Sequence, residues 1–181
     1  MTQELYQKAM KFAGEKHSNQ KVPGTNANYL LHISNVVMEV LMAHHAEQNF
    51  NLDFAVQLAI LHDTIEDTSA SFDEIKNEFG EEVAKGVQAL TKNDEITTKK
   101  ERMEDSLNRI NELSKEVGLV KLADRITNLQ TPPPHWSQEK VIKYHQEAQF
   151  ISEQLKGKNP YLNRRLEQKI KDYPINLKAD L

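Results

Sequence analysis

A histidine beside an aspartate carries the strongest chemical signal in this sequence. His62 and Asp63 follow an apolar, helix-compatible run that ends at Leu61, and the carboxylates Glu66 and Asp67 come soon after them. Burying a charge without a partner is costly, so an imidazole and three carboxylates at the end of a buried segment need something that neutralises them. A bound divalent metal ion would meet that need.

Two other segments supply side chains of the same chemistry. His32 lies in the preceding predicted helix next to a loop, and Asp124 is a carboxylate in an otherwise apolar stretch. With His62 and Asp63 they form a nitrogen–oxygen ligand set that suits Mn²⁺, Fe²⁺, Zn²⁺ or Mg²⁺, and ligand softness does not choose among these ions. Four protein ligands leave room on an octahedral ion for water and substrate, and such an ion acidifies the water it binds.

Glu66 and Asp67 are predicted to act beside the metal ion. Glu66 follows His62 by one helical turn, and Asp67 follows Asp63 by the same spacing. We therefore expect both carboxylates to reach the same end of one helix. There they would orient the attacking water and move its proton, which makes them the candidate catalytic residues.

Each of these residues also has an ordinary structural interpretation. His32 alone would be a surface or capping residue, and Asp124 alone would form an ion pair with Lys121 or Arg125. Glu66 and Asp67 could simply form an acidic helix end, although negative charge there opposes the helix dipole. One metal site explains the whole set with fewer coincidences, so we predict a metal site.

The elements that position these residues are predicted to be helices. Apolar residues recur at helical spacing in almost every segment, and no alternating, strand-like run occurs. Ser71 with Glu74 forms a capping-box pattern, and Gly80 marks a helix stop. The predicted helices span about 2–17, 30–46, 53–67, 72–79, 82–91, 99–117 and 119–130, then continue from Ser137 and after Pro160, with a tail from Pro174. We predict an all-α fold and a single domain over residues 1–181.

Composition restricts the possible partners. The net charge of −4, without a basic block, argues against nucleic-acid binding, and no apolar stretch approaches the length of a membrane span. The polar N-terminal segment argues against a secretory signal. The chain has no cysteine, which excludes disulfides, thiolate ligands and a cysteine nucleophile. We expect a cytoplasmic protein that acts on a small molecule, and nothing in the sequence sets its oligomeric state.

At these residues the sequence resembles the HD-domain metal-dependent phosphohydrolases. The likeness is strongest to the (p)ppGpp hydrolase domain of the RelA/SpoT enzymes and to the stand-alone alarmone hydrolases of the Mesh1 type. The matching segments occur in the family's order and close to its spacing: HSNQ at 17–20, YLLH at 29–32, LHDTIEDT at 61–68 and VKLADRITNL at 120–129. The resemblance covers about residues 5–156, which is most of the chain.

This resemblance implies an HD-domain helical bundle and a specific reaction. It implies one Mn²⁺ held by His32, His62, Asp63 and Asp124. The attacking water would be handled by Glu66 and Asp67. The reaction would remove the 3′-pyrophosphate of (p)ppGpp, the alarmone of the stringent response, and give GDP or GTP plus pyrophosphate. The residues that match substrate-contacting positions of the family are Lys21, Lys99, Asn128 and Tyr144.

Several alternatives stay open. The loop before Tyr29 carries only Lys21 where the family has an arginine–lysine cluster, and Ile33 replaces the proline that usually follows the histidine. Because phosphate contacts are largely charge-assisted, fewer cations argue against a heavily phosphorylated guanine nucleotide. Lys99 fits a solvated helix face equally well, and Tyr144 fits a core position. The competing functions are hydrolysis of another nucleotide, such as NADPH or a nucleoside monophosphate, and nucleotide sensing by an inactive HD module.

Overall fold

The structure consists of helices that pack around two central helices, and these two are buried on nearly every side. The computed structural model describes residues 2–175, and within that range it contains ten helices and one isolated β-bridge, between Lys21 and Asn28. The all-α prediction is therefore confirmed, while the single-domain assignment stays a prediction. The helices are α1 Thr2–Lys16, α2 Leu30–Ala46, α3 Leu52–Leu61, α4 Thr64–Asp67, α5 Phe72–Phe79, α6 Glu81–Leu90, α7 Lys99–Glu112, α8 Lys115–Asn128, α9 Gln138–Gln154 and α10 Pro160–Asp172.

Helices α3 and α8 form the centre of the structure. Every residue of α3 from Ala55 to Leu61 is buried, and so is every residue of α8 from Glu116 to Ile126. Helices that lack an exposed polar face belong in the interior of a protein. α1, α2 and α6 pack on α3, and α8 packs against both α2 and α3. The predicted metal ligands therefore lie on or next to the helices that build the core.

The single helix predicted over residues 53–67 is wrong, because the backbone breaks at the candidate ligands. α3 ends at Leu61, and the short α4 begins at Thr64. Between them Asp63 leaves the helical region with φ −102° and ψ 1°. The hydroxyl of Thr64 donates to the Leu61 carbonyl at 2.6 Å, which satisfies one of the carbonyls left free at the end of α3. Glu66 and Asp67 consequently do not share a helix with His62.

The boundary predicted at Gly118 is also wrong. α7 ends at Glu112 and α8 begins at Lys115, with Leu113 and Ser114 extended between them. Gly118 lies inside α8, where a Cβ atom would come within 2.8 Å of the Lys158 side chain. The glycine allows close packing there and does not end a helix.

Other predicted helix ends agree with the structure. The Ser71 side chain accepts from the Glu74 amide at 3.2 Å, and Gly80 follows α5 with φ 93°, a conformation that favours glycine. Ser137 caps α9 in the same way as Ser71 caps α5. Most of the tail predicted from Pro174 lies outside the described residues. No helix within residues 2–175 has the length and apolar character needed to cross a lipid bilayer.

Candidate metal centre and active site

Three helices bring the predicted ligands His32, His62 and Asp124 together. His32 lies near the start of α2, His62 directly follows α3, and Asp124 lies in α8. One ligand atom from each lies within 4.8 Å of the others, and all three residues are buried. The Nε2 atoms of His32 and His62 are 3.2 Å apart, and Asp124 Oδ1 is 3.5 Å and 3.8 Å from them. Neighbouring ligand atoms around an octahedral ion with bonds of about 2.1 Å lie about 3 Å apart, so this spacing suits a divalent metal.

Asp63 lies against the same group. Its Oδ2 atom is 2.9 Å from His62 Nε2 and 3.7 Å from His32 Nε2. The Tyr29 hydroxyl donates to that oxygen at 2.5 Å and so fixes the carboxylate from the side of α2. The structure therefore brings together all four predicted ligands, which we call the ligand cluster: His32, His62, Asp63 and Asp124.

A hydrogen bond to the backbone orients the His62 ring. Its Nδ1 atom is 2.9 Å from the carbonyl oxygen of Ala59. A carbonyl can only accept, so Nδ1 carries the hydrogen and Nε2 points into the ligand cluster. When the ring is neutral, Nε2 has a free lone pair, which is the state that binds a metal.

The two oxygens of Asp124 have separate partners. Oδ2 accepts from Lys121 Nζ at 3.0 Å in a buried ion pair, while Oδ1 accepts from the Asn128 amide at 2.5 Å and faces the two histidines. The ion-pair interpretation and the ligand interpretation of Asp124 are thus compatible. Asn128 orients Asp124 in this structure, and its contact with substrate stays a prediction.

The electrostatics of the ligand cluster favour a cation at its centre. Burial alone would raise the pKa of Asp124, but Lys121 and the two histidines outweigh burial and hold that pKa well below its usual range. Burial likewise lowers the pKa of His62, yet Asp63 and Asp124 outweigh it and raise the pKa to about 9. The cluster therefore keeps the Asp124 carboxylate ionised and favours positive charge beside it, and the donor set fits a divalent ion.

Glu66 is held by Lys92, a residue that the sequence pattern does not predict. Lys92 donates from Nζ to Glu66 Oε1 at 2.7 Å and from its backbone amide to Oε2 at 2.9 Å. Lys92 belongs to the α6–α7 loop, residues 91–98. Nothing in a lysine followed by Asn93 and Asp94 distinguishes it from an ordinary solvated loop cation.

Asp67 is held from the other side by the α1–α2 loop, residues 17–29. Gln20 donates from Nε2 to Asp67 Oδ2 at 2.8 Å, and its Oε1 accepts from His17 Nδ1 at 2.6 Å. The buried His17 ring stacks on Tyr29 with 4.9 Å between centroids. Burial raises the pKa of Asp67, and the hydrogen bond from Gln20 opposes that rise. His17 and Gln20 belong to the HSNQ segment that matches the family, but the match does not predict the contact between Gln20 and Asp67.

The structure does not bring the two predicted phosphate-binding lysines to the ligand cluster. Lys21 is exposed, and its Nζ atom lies 3.4 Å from Asn26 Oδ1. Lys99 is exposed at the first position of α7, and its side chain makes no hydrogen bond or ion pair within residues 2–175. Both assignments stay predictions that concern the bound substrate.

Tyr144 lies beside the Asn128 end of the ligand cluster. Its hydroxyl is 3.5 Å from the Asn128 carbonyl oxygen, and the Arg125 guanidinium lies 4.6 Å from its ring centroid. Arg125 in turn pairs with Glu147. Burial raises the pKa of Tyr144 to about 12. The ring is half-buried, so the packing and substrate-contact interpretations are both compatible with its position.

Comparison with known proteins places this arrangement in a family. A family model described as the HD domain matches residues 9–159. The chain is similar to the protein named guanosine-3′,5′-bis(diphosphate) 3′-pyrophosphohydrolase MESH1 of Danio rerio, with 33% identity over 162 residues and 87% of each chain covered. It is also similar to a guanosine-3′,5′-bis(diphosphate) 3′-pyrophosphohydrolase of Aquifex aeolicus, with 38% identity over 130 residues, 71% of this chain and 18% of that longer one.

A solved structure gives the same result at the level of the fold. It is described as a metazoan ortholog of SpoT that hydrolyzes ppGpp, and it aligns with a TM-score of 0.80 at 26% identity, covering 95% of this chain and 97% of that one. Sequence and structure therefore agree: the chain belongs to the HD-domain family and is homologous to the MESH1 and SpoT hydrolases.

Proposed function

We propose that this chain is a metal-dependent hydrolase that removes the 3′-pyrophosphate of (p)ppGpp and gives GDP or GTP plus pyrophosphate. The observation that carries the proposal is the convergence of two imidazoles and two carboxylates, from α2, from the α3–α4 junction and from α8, around one point. The relatives named for this reaction support it, as does the match of the HD domain to most of the chain. We further propose that residues 1–181 form one domain.

The ion would be held by the ligand cluster, and we propose Mn²⁺. A mixed nitrogen–oxygen set also accepts Fe²⁺, Zn²⁺ or Mg²⁺, so the ion is to be identified by measurement. When bound, the ion supplies positive charge that acidifies water and stabilises the charge developing on the phosphoryl oxygens.

The residues around the ligand cluster would handle the water and its proton. Glu66 and Asp67 lie at the end of α4, held by Lys92 on one side and Gln20 on the other. As the water oxygen joins the phosphorus, its proton passes to one of these carboxylates. The bond from phosphorus to the 3′ oxygen breaks, and that oxygen takes up a proton, so the reaction adds one water across the bond.

The nucleotide contacts complete the proposal. Asn128 and Tyr144 lie at one edge of the ligand cluster, and Lys21 and Lys99 are cations that can reach for the phosphates of a bound substrate. The proposed partner is a nucleotide. The cytoplasmic location and the lack of a nucleic-acid partner stay predictions from the sequence.

One observation favours a second candidate, hydrolysis of a nucleotide that carries fewer phosphates. The α1–α2 loop offers a single lysine, Lys21, whose only hydrogen bond within the described residues is a long one to Asn26. Hydrolysis of NADPH or of a nucleoside monophosphate would need fewer charge-assisted contacts than hydrolysis of ppGpp. The two candidates share the same ligand cluster and differ in product.

A substrate panel tests the proposal directly. Purified protein is stripped with chelator and assayed with Mn²⁺, Mg²⁺, Zn²⁺ or Fe²⁺ against ppGpp, pppGpp, NADPH and nucleoside monophosphates. We expect pyrophosphate release from ppGpp that is lost on chelation and restored best by Mn²⁺. Release of inorganic phosphate from the other nucleotides, with none of the pyrophosphate expected from ppGpp, would support the second candidate. Nucleotide binding without turnover under every condition would indicate a sensing module.

A further inference from the structure

Lys92 donates two hydrogen bonds to the Glu66 carboxylate. The ammonium group and the backbone amide of this residue each bind one oxygen of Glu66, at 2.7 Å and 2.9 Å. A carboxylate held at both oxygens cannot rotate about its last bond, whereas a contact from a flexible lysine side chain alone would permit rotation. The two hydrogen bonds therefore fix the plane of the Glu66 carboxylate as well as its position.

The loop that carries Lys92 is itself anchored by arginines of α7. Arg109 donates from Nη2 to the Thr91 carbonyl at 2.8 Å, directly before Lys92. Arg102 donates from Nε to the Ile96 carbonyl at 2.6 Å and from Nη2 to the Asp94 carbonyl at 3.0 Å. Because the backbone is fastened on both sides of Lys92, its amide hydrogen is held in place before any substrate binds.

Lys92 also lies within the electrostatic reach of the ligand cluster. Burial lowers the pKa of Lys92, but Glu66, Asp124 and Asp63 outweigh burial and raise it. The side chains of Lys92 and Glu66 are 34% and 26% exposed, so water screens their interaction less than that of a surface pair. Lys92 is therefore a charged group at the site, and it contacts one of the two proposed catalytic carboxylates directly.

We propose that Lys92 is a positioning residue that aligns Glu66 for its work on the attacking water. The proposal rests on the proposed function, because it presumes that Glu66 acts in turnover. It assigns a role to the α6–α7 loop: the loop delivers the amide and the ammonium that orient Glu66, while Gln20 of the α1–α2 loop serves Asp67. Lys92 acts through Glu66 and need not touch the substrate.

A double-mutant cycle on turnover tests this role. Lys92→Met removes the ammonium and keeps the length of the side chain, and Glu66→Gln keeps the shape of its partner. We expect Lys92→Met to lower kcat by about 10- to 100-fold, the usual loss when an outer partner of a catalytic group is removed. KM should stay within about twofold, because the ground-state contacts to substrate are unchanged. In the Glu66→Gln background, Lys92→Met should change kcat by less than about twofold.

The surface pair Lys85 and Glu81 on α6 provides a matched control. Lys85 Nζ lies 3.0 Å from Glu81 Oε1, with side chains 46% and 49% exposed, and Lys85→Met is expected to leave kcat and KM unchanged. Lys92→Arg keeps the charge and should restore at least part of the lost kcat. A rise in KM with unchanged kcat for Lys92→Met would make Lys92 a phosphate ligand and would overturn the positioning role. Additive losses in the double variant would overturn it as well.

Thermal unfolding of metal-free protein separates this proposal from the proposed function. Lys92→Met and Glu66→Gln should each lower Tm by about 2 °C, and the double variant should lower it by no more than either alone. If wild-type protein released no pyrophosphate from ppGpp, the proposed function would fail. The second cycle would still show whether Lys92 and Glu66 interact. Coupled Tm values would support the contact between the Lys92 and Glu66 side chains, and additive values would overturn it.

Discussion

The ligand cluster and the two loops beside it are built by different means. Three members of the ligand cluster lie on or next to the buried helices α3 and α8, His32 lies on the inner face of α2, and two of the residues that hold the carboxylates, Lys121 and Tyr29, are themselves buried. The two carboxylates outside the ligand cluster are held from loops: Gln20 of the α1–α2 loop binds Asp67, Lys92 of the α6–α7 loop binds Glu66, and the remaining lysine of these loops, Lys21, is exposed. In the proposed function, core packing thus sets the positions of the metal ligands, and the two loops set the positions of the groups that would handle the water and the substrate.

The largest effect is expected from breaking the ligand cluster itself. Asp63→Ala should abolish metal binding and activity, because it removes one of two carboxylates that balance the charge of the ion. Metal content by mass spectrometry and turnover of ppGpp measure the two effects. Asp73→Ala, which removes an exposed carboxylate at the start of α5, is the control. Unchanged metal content in folded Asp63→Ala protein would remove Asp63 from the ligand set.

A smaller effect is expected one step outward, at Glu66. Glu66→Gln should keep the metal, since Glu66 contacts Lys92 and not the four ligands. Its kcat should fall by about 10² to 10⁴, the range for loss of a general acid or base. Metal titration tests whether the metal is kept, and steady-state kinetics on the same sample test the fall in kcat. Loss of the ion together with activity would show that Glu66 helps to hold the ion and belongs with the ligand cluster.

Gln20 should affect the pH dependence of turnover more than its maximum. Burial raises the pKa of Asp67, and the amide of Gln20 opposes that rise, so Gln20→Leu should raise the pKa further. If the carboxylate form is active, turnover is present above that pKa and is lost as pH falls through it. The acid limb of the kcat profile should therefore move to higher pH in Gln20→Leu. The exposed neighbour variant Asn19→Leu should leave the limb in place; a shift in both variants, or in neither, would contradict the role of Gln20.

The smallest effect is expected at Lys21. A lysine that reaches a phosphate from an exposed position contributes little, so Lys21→Ala should raise KM for ppGpp about threefold and leave kcat unchanged. Lys11→Ala, from the exposed face of α1, is the control. Unchanged KM would remove Lys21 from the substrate site and favour a nucleotide with fewer phosphates.

The contrast between cluster and loops also explains what the sequence could predict. The proposed ligands can be predicted because a charged residue inside an apolar run is rare, as at Asp124 and after Leu61. The role of Lys92 cannot be predicted in this way, because a lysine in a polar loop resembles every solvated lysine and its contact depends on how α6 and α7 pack. Local patterns therefore predict what the core needs, but not which loop atom meets which carboxylate.

The two helix boundaries that were predicted wrongly both depend on side-chain contacts. Helical periodicity continues through His62 and Asp63, so the sequence does not signal that the chain bends there. The bend depends on side chains that donate hydrogen bonds to the last carbonyls of α3. Hydrophobic periodicity carries no information about such hydrogen bonds. Gly118 failed in the opposite sense, because the space it leaves is filled by Lys158 from a distant part of the chain.

The hydrogen bond from His62 to the Ala59 carbonyl orients the ring of a proposed metal ligand through residues close to it in the sequence. Donor and acceptor are only three residues apart, so the choice of ring tautomer depends on the last turn of α3 and not on distant segments. An arriving ion would find this imidazole already turned toward it, with no need for the ring to flip. The end of α3 and the orientation of a proposed metal ligand thus depend on the same few residues.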